Sequence, residues 1–252
     1  GGNSNVCIGD EAGRSLTTGD ANVALGHEAL YFEDAHGYNT AVGYRALKTL
    51  NAGADSRNTA VGSLAGAATT TGADNTFIGS LAGDANTTGG ANTAVGSSAL
   101  TTATTADSNT AIGYNALGAN TTGATNTAVG RNALDANTTG VNNVAVGVNA
   151  LDDSTTGDQN TALGTSTLAN NTTADNNTAV GHSALFDNTT GTGNSSVGTL
   201  SLANNTTGDD NTAVGHLALT TNTTAHDNTA LGSNALRDNT TGAGNTAVGR
   251  LA

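Results

Sequence analysis

The chain has 252 residues, of which 20 are acidic and 7 are Lys or Arg, so its net charge is −13. Nucleic acids and anionic membranes are bound through basic side chains, and this charge balance argues against both as partners. No run of about 18 apolar residues occurs, so we expect no membrane insertion in this segment. The single cysteine, Cys7, excludes an internal disulfide framework.

One short motif, Asn-Thr-Ala-Val-Gly in its commonest form, recurs along the whole chain. Its copies end at glycines that are 17 residues apart, except for 19 residues between Gly43 and Gly62. A fixed short period predicts one stacked repeat domain over residues 1–252. Because the chain begins at Gly1 rather than Met, we expect a processed chain or a fragment. Repeat positions are counted from the motif glycine as position 0, at Gly9, Gly26, Gly43, Gly62, Gly79, Gly96, Gly113, Gly130, Gly147, Gly164, Gly181, Gly198, Gly215, Gly232 and Gly249.

Each repeat begins with Asn at position −4, followed by a short β-branched segment that ends in Val, Ile or Leu at −1. This segment predicts a strand. Position +4 is usually Leu, which we interpret as part of a second short strand, but three copies have glycine there: Gly13, Gly66 and Gly83. The Asn-Thr-Thr-Gly segment at +7 to +10 predicts a turn. Seventeen residues suit one coil of a β-solenoid, with coils about 4.7–4.9 Å apart, and an antiparallel meander is the alternative.

Stacked coils bring identical side chains together, so the Asn residues at −4 and +7 predict two amide ladders along the axis. Alternation along the strand places Thr at −3 and Val at −1 on one face, which we expect to form the core together with Leu at +4. Ala at −2 and Gly at 0 then form a smooth outer face suited to close approach by another chain. Phe77, at a −2 position, is expected to show what that face contacts. The thin core predicts self-association, as a homotrimer or a filament.

Two features mark the second to fourth coils as the least regular. The two extra residues lie near 54–57, inside a turn, where an insertion is expected to bulge outward. Most of the aromatic residues are also here. They are either a patch that binds a partner or an irregular coil near a terminal cap: Tyr31, Phe32, Tyr38 and Tyr44.

The repeat Asn-Thr-Ala-Val-Gly-x-x-Ala-Leu resembles the head repeats of YadA-like trimeric autotransporter adhesins, and similar repeats occur in phage tail fibres. In that family a shorter repeat, with a Ser/Asn-x-Ala-Ile/Val-Gly core followed by x-x-Ala, forms a left-handed parallel β-roll. Three chains pack into a rod that adheres to host surfaces. The resemblance covers the whole chain and implies an all-β solenoid of about fifteen 17-residue coils, in a trimeric rod. The longer period requires a longer turn than in the family, and no heptad stalk, neck or membrane anchor is present.

No catalytic, cofactor-binding or metal-binding pattern is present in the sequence. His27, His182 and His216 share position +1, which varies freely and is therefore expected to face solvent. The many turn aspartates predict a solvated acidic face, with calcium binding as the alternative. Cys7 occupies the −2 position, where Ala is usual, so we expect it to be buried.

We therefore expect a non-enzymatic structural and adhesive fibre segment, outside the cell or on a virion, with a host surface protein or glycan as a possible partner. The alternatives are a tail-fibre shaft that binds a receptor, or a solenoid that binds a surface ligand such as ice or glycan, for which the Thr-Thr pairs at +8 and +9 are the cue. A solenoid hydrolase is disfavoured because paired acids among aromatic platforms are missing.

Overall fold

The computed structural model describes residues 2–33 and 35–252, in two compact units, Gly1–Asn126 and Thr127–Ala252. Each unit is a stack of coils with one three-residue strand per repeat, and the described residues contain no helix. The first unit holds β1 (Val6–Ile8), β2 (Val23–Leu25), β3 (Thr40–Val42), β4 (Thr59–Val61), β5 (Thr76–Ile78), β6 (Thr93–Val95) and β7 (Thr110–Ile112). The second holds β8 (Thr127–Val129), β9 (Val144–Val146), β10 (Thr161–Leu163), β11 (Thr178–Val180), β12 (Ser195–Val197), β13 (Thr212–Val214), β14 (Thr229–Leu231) and β15 (Thr246–Val248).

Within each unit, every strand pairs in parallel with the next strand in the sequence. The register is regular, so that Ala94 of β6 lies beside Ala111 of β7 and each repeat position stacks on itself. This confirms the predicted β-solenoid with parallel coils. The antiparallel meander is wrong, because no paired strands of either unit run in opposite directions among the described residues.

The predicted orientation of the strand is wrong. Ala94 at −2, Ala99 at +3 and Leu100 at +4 are fully buried, whereas Ile78 at −1 is 40% exposed. The core therefore consists of the −2, +3 and +4 side chains, and the −3 and −1 side chains point outward. The physical reason is the narrow coil, in which Leu at +4 reaches across the interior and leaves room only for a small side chain at −2. Phe77, which was expected to face another chain, is also fully buried.

The predicted second strand is also wrong, because position +4 lies in a turn. Ser98 at +2 and Leu100 at +4 have φ values of 57° and 54°, in the left-handed region. This conformation costs roughly 1–2 kcal/mol for a residue with a side chain. Full burial of Leu contributes about 1.5–3 kcal/mol and offsets that cost. Two left-handed residues so close together reverse the chain within one short turn, and a second strand is not needed.

The motif glycine at position 0 is required by close approach between coils. Gly96 has a φ of 141°, and a Cβ atom there would lie 2.4 Å from the carbonyl oxygen of Gly113 in the next coil. Backbone at this distance cannot move aside without breaking the strand pairing. This explains why the position is glycine in all fifteen copies.

Both predicted amide ladders are present. The Oδ1 atom of Asn92, at −4, accepts a hydrogen bond of 2.9 Å from the backbone N–H of Asn109, and its Nδ2 donates to the carbonyl oxygen of Ala106 at 2.7 Å. In the +7 ladder, Nδ2 of Asn205 donates to Oδ1 of Asn188 and to the carbonyl oxygen of Gly208, both at 2.9 Å. The side chain of Asn92 therefore supplies hydrogen-bond partners to two backbone groups that burial would otherwise leave without partners.

The two-residue insertion bulges outward, as predicted. A Cβ atom added to Gly53 would meet nothing within 4 Å. The −4 ladder continues past the bulge, because Oδ1 of Asn39 accepts from the backbone N–H of Asn58 at 3.0 Å and from the hydroxyl of Ser56 at 2.8 Å. The insertion thus changes the surface of one coil without changing its core.

Candidate binding surfaces

The side chains at −3 and −1 form an exposed surface along the strands of each unit, which we call the outer strand face. Alternation along a strand places them opposite the buried Ala at −2. Ile78 and Ile112 in the first unit, and Val197 and Val214 in the second, are each 39–40% exposed. Exposed aliphatic side chains are common singly, but a continuous column of them is typical of an interaction surface.

The outer strand face carries no charged residue. Positions −3 and −1 hold only Thr, Ser, Val, Ile and Leu in all fifteen repeats, although the chain has a net charge of −13. All of the charge is therefore on the turns and at the sides of the coils. Segregation of this kind, with an uncharged centre beside charged surroundings, is the composition of the buried centre of a protein interface.

Two exposed columns border the outer strand face. The +1 rim consists of the side chains at +1, and the −5 rim consists of the side chains at −5, before the buried Asn. In the coil of Gly43 both rims carry tyrosine, with Tyr44 on the +1 rim at 45% exposure and Tyr38 on the −5 rim at 58%. Tyr114 is a further exposed tyrosine on the +1 rim.

Two of the four candidate aromatic residues, Tyr31 and Phe32, lie together in the second coil. Their ring centroids are 4.6 Å apart in an edge-to-face arrangement. The guanidinium carbon of Arg14, from the first coil, lies 5.3 Å from the centroid of Tyr31, and Nζ of Lys48, from the third coil, lies 5.7 Å from it. Tyr31 is thus held by a cation from each neighbouring coil.

Tyr44 is held in a similar way. Its ring stacks on His27 at 5.6 Å between centroids, and Arg45 lies 4.8 Å from its centroid. The carboxylate of Glu28 accepts hydrogen bonds from Lys48 at 2.8 Å and from Arg45 at 2.5 Å. The bond from Lys48, aided by Arg45, lowers the pKa of the Glu28 carboxyl. These side-chain contacts connect the first three coils along the stack. Much of the surface of the Tyr31 and Tyr44 rings is therefore covered by other residues of the same chain.

The turn aspartates have a structural role that the sequence pattern did not indicate. Asp158 and Asp175, both at +11, accept hydrogen bonds of 2.8 and 2.7 Å from the backbone N–H groups of Val141 and Asp158, respectively. Each carboxylate therefore provides a hydrogen-bond acceptor for a backbone N–H in the turn of the preceding coil. His226 takes the same place with Nδ1, which accepts from the backbone N–H of Asp209 at 2.9 Å.

A second group of aspartates consists of Asp135, Asp152 and Asp153. One of them has a raised pKa, but the group does not form a metal site. Partial burial, followed by the nearby charges of Asp135 and Asp153, raises the pKa of Asp152 to about 6. Over residues 2–33 and 35–252, no group of three or more His, Cys, Asp or Glu side chains could hold a metal ion. The three histidines at +1 are exposed, as the sequence predicted: His27, His182 and His216.

The Thr-Thr pairs at +8 and +9 differ in their availability. The hydroxyl at +8 donates to the backbone of the next coil, as from Thr172 to the carbonyl oxygen of Thr189 at 3.0 Å. The side chains at +9, such as Thr122 and Thr139, are exposed on the turn. Only half of this predicted ligand surface is therefore available to bind anything.

Cys7 is exposed, contrary to the prediction that it is buried. It lies in the first coil, where its sulfur occupies the space that a side chain at Gly13 would need, since a Cβ there would be 2.5 Å from Sγ. Partial burial raises the pKa of the thiol. A raised pKa lowers its thiolate fraction and hence its reactivity.

No family model, curated protein or solved structure matches this chain. In the described part of the chain, nothing has the helical length and apolar character that a membrane-spanning helix needs.

Proposed function

We propose that this chain is a non-enzymatic, structural and adhesive segment of a fibre, and that its copies associate through the outer strand face. The observation that carries the proposal is the uncharged column of partly exposed aliphatic side chains at −1 that runs along the strands of each unit. The resemblance of the repeat to trimeric adhesin heads suggests a homotrimer. A filament is the other form of self-association.

Another copy of the chain is the partner that fits this face best. A second copy presents the same side chains at the same spacing of about 4.7–4.9 Å, so every coil of one copy meets an equivalent coil of the other. The absence of charge at −3 and −1 means that the net charge of −13 need not be buried when the faces meet. Burial of a partly exposed Val or Ile contributes roughly 1 kcal/mol. Association costs at least about 4 kcal/mol, so only a face of many repeated coils gives stable assembly.

Solution mass is the direct test of self-association. Light scattering combined with small-angle X-ray scattering is expected to give a mass near three chains. A stable monomer at high concentration would overturn the proposal.

A matched pair of variants tests the face itself. Lysine at three −1 positions of the first unit is expected to give a folded monomer, because charged side chains repel across a shared apolar face. The variants are Val61→Lys, Ile78→Lys and Ile112→Lys, whose side chains are 36–40% exposed. The control adds the same charge at +9, with Thr71→Lys, Thr88→Lys and Thr122→Lys, and should keep the mass of the parent. Equal mass for both triple variants would place the interface elsewhere.

The biological role follows from repetition. Within each unit, coils of nearly constant sequence make a regular surface on which outward side chains can be displayed many times. We place such a segment outside the cell, on a cell surface, in an extracellular filament or on a virion, in contact with a host surface protein or glycan. Binding of the purified protein to host cells, abolished by removal of surface glycans, would support this role. Binding that is unaffected would favour a protein receptor.

Ice binding is a second candidate, favoured by one observation. The outer strand face presents Thr at −3 in most coils, beside an aliphatic residue at −1, on parallel strands with regular spacing. A monomer would expose this uncharged array to solvent. Thermal hysteresis in concentrated solution, together with a monomeric mass, would support ice binding and exclude the self-associated fibre.

A further inference from the structure

We infer that the associated copies are parallel and unshifted, and that Tyr44 of one copy contacts Tyr38 of the next copy at the edge of their shared face. This inference depends on the proposed self-association and adds the arrangement of the copies. Its basis is the position of the two tyrosines, which lie on opposite rims of the same coil, on either side of strand β3.

The outer strand face alone does not define an arrangement. Its residues are nearly the same in every coil, so a copy displaced by one coil would find almost the same contacts. Only the rims vary along the chain. In the first unit the +1 rim reads Asp10, His27, Tyr44, Ser63, Ser80, Ser97 and Tyr114, and the −5 rim reads Ser4, Ala21, Tyr38, Arg57, Asp74, Ala91 and Ser108.

Symmetry determines which rims meet. When copies are related by rotation about an axis parallel to the stack of coils, the +1 rim of one copy lies beside the −5 rim of the next. An antiparallel pair instead brings two +1 rims together. A closed ring of identical contacts returns to its starting point only if each copy has no shift along the axis. A closed parallel assembly therefore places the two rims of the same coil side by side.

The coil of Gly43 has the strongest pair of rim residues. Tyr44 is positioned by His27 at 5.6 Å and by Arg45 at 4.8 Å, both of which are contacts within one chain. The backbone of Tyr38 is fixed by its N–H, which donates to the carbonyl oxygen of Asp20 at 3.0 Å. Both rings still have about half of their surface exposed. Tyrosine is enriched at protein interfaces because an aromatic pair gains contact area at little cost in conformational entropy.

Other rim residues are compatible with the unshifted arrangement. In the second unit it places His216 beside Asp210 of the next copy, a pair that attracts when the histidine is protonated. None of the fifteen coils would bring like charges from the two rims together.

Cysteine cross-linking tests the arrangement. In a Cys7→Ser background, Tyr38→Cys is combined with Tyr44→Cys, and the protein is oxidised under mild conditions. A disulfide requires the two Cα atoms to be about 4.4–6.8 Å apart, so strand β3 prevents this bond within one chain. We expect covalent trimers on a non-reducing gel. Co-expression of the two single variants should give covalently linked chains that contain one of each.

Shifted pairs are the control. Tyr44→Cys combined with Ala21→Cys or with Arg57→Cys represents displacement by one coil in either direction, about 4.7–4.9 Å. Cross-linking of either shifted pair in place of 38–44 would overturn the unshifted arrangement, and so would an assembled protein with no cross-link. Light scattering of the reduced variants separates the two proposals. An assembly without the 38–44 bond refutes only the arrangement, whereas a monomer refutes self-association as well.

Discussion

Phe77 occupies the space that a side chain at Gly83 would fill. A Cβ atom added to Gly83 would lie 2.4 Å from Cε1 of Phe77, and one added to Gly66, in the preceding coil, would lie 2.7 Å from Cδ2. Phe77 replaces the usual Ala at −2, and the two glycines replace the usual Leu at +4. One large side chain thus substitutes for two leucines in the core.

This relationship predicts compensation between the two positions. Phe77→Ala should destabilise the first unit by about 3–5 kcal/mol, because it leaves a cavity. Gly83→Leu alone should also destabilise it through overlap with the ring. The triple variant Phe77→Ala, Gly66→Leu and Gly83→Leu restores the usual repeat and should recover most of the loss. Thermal unfolding of the four proteins tests this, and purely additive losses would contradict it.

The −4 ladder predicts a large cost for the loss of one amide. Asn177 accepts from the backbone N–H of Asn194 and donates to the carbonyl oxygen of Gly191, both at 2.9 Å, and is fully buried. Asn177→Ala leaves the buried backbone N–H of Asn194 without a partner, at roughly 1–3 kcal/mol. It also removes one of two hydrogen bonds to the carbonyl oxygen of Gly191, which still accepts from Nδ2 of Asn188 at 2.9 Å. Urea unfolding of Asn177→Ala should show this loss. The exposed Asn204→Ala, as control, should change stability by less than about 0.5 kcal/mol.

Substitution by glycine is expected to be stabilising at an exposed residue whose backbone is in the left-handed region. Ala91 has a φ of 56° and is exposed, so its methyl group contributes little to packing. Ala91→Gly should gain about 0.5–1 kcal/mol, because relief of left-handed strain exceeds the added entropy of the unfolded chain. Gly244 has a φ of 69° and space for a Cβ, so Gly244→Ala should lose a similar amount. Differential scanning calorimetry measures both, and the same sign for both would refute the argument.

Asp152 predicts a pH dependence of stability. Its pKa is raised from 3.8 to about 6 in the fold, mainly by burial, so the fold favours the protonated form. This stabilisation is complete below about pH 4 and is lost as the pH rises through 6. Asp152→Asn should therefore be more stable than the parent near pH 8, by about 1 kcal/mol after allowance for screening by solvent, and equal to it near pH 4.

Urea unfolding at the two pH values measures this difference. The exposed Asp227→Asn is the charge-matched control and should give no gain at pH 8. A gain of the same size in both variants would indicate a general effect of net charge rather than burial of Asp152.

The period and the polar ladders could be predicted from the sequence because they depend on spacing alone. Any parallel stack with a 17-residue coil places the Asn residues at −4 above one another. The hydrogen-bond partners that these buried amides require are then the neighbouring amides and the backbone. The outward bulge near 54–57 follows in the same way, since the repeat resumes in phase at Asn58.

The direction of the strand could not be predicted from its own three residues. In Thr-Ala-Val both faces are apolar enough to be buried, and the width of the coil decides between them. A signal was nevertheless present in the sequence. Phe77 at −2 is flanked by coils with Gly66 and Gly83 at +4, which indicates that both positions face one interior. Glycine at +4 also indicated a left-handed turn, a conformation that Leu rarely adopts elsewhere.

The candidate aromatic residues could be identified from the composition of their coils. The residues that contact them depend on the three-dimensional structure. Tyr31 is contacted by cations of the two neighbouring coils, and Tyr44 stacks on His27 of the preceding coil, and these partners are distant in the sequence. Tyr38 belongs to the other rim, beside a face that the sequence analysis had placed in the core. The interaction surface was therefore missed because the strand orientation was reversed.

Because every coil contacts its neighbours in the same way, the number of coils can change in evolution or by engineering while the contacts between coils stay the same. Removal of residues 165–181 would join Gly164 to His182, and Asn160 would meet Asn194 through the same ladder geometry that it now shares with Asn177. Removal of one residue fewer or more would change only the turn of the joined coil, as the two-residue insertion near 54–57 does, because every later coil keeps its own 17-residue spacing. Recombination between similar segments can thus lengthen or shorten the chain in whole coils, while selection acts separately on the residues that each coil displays.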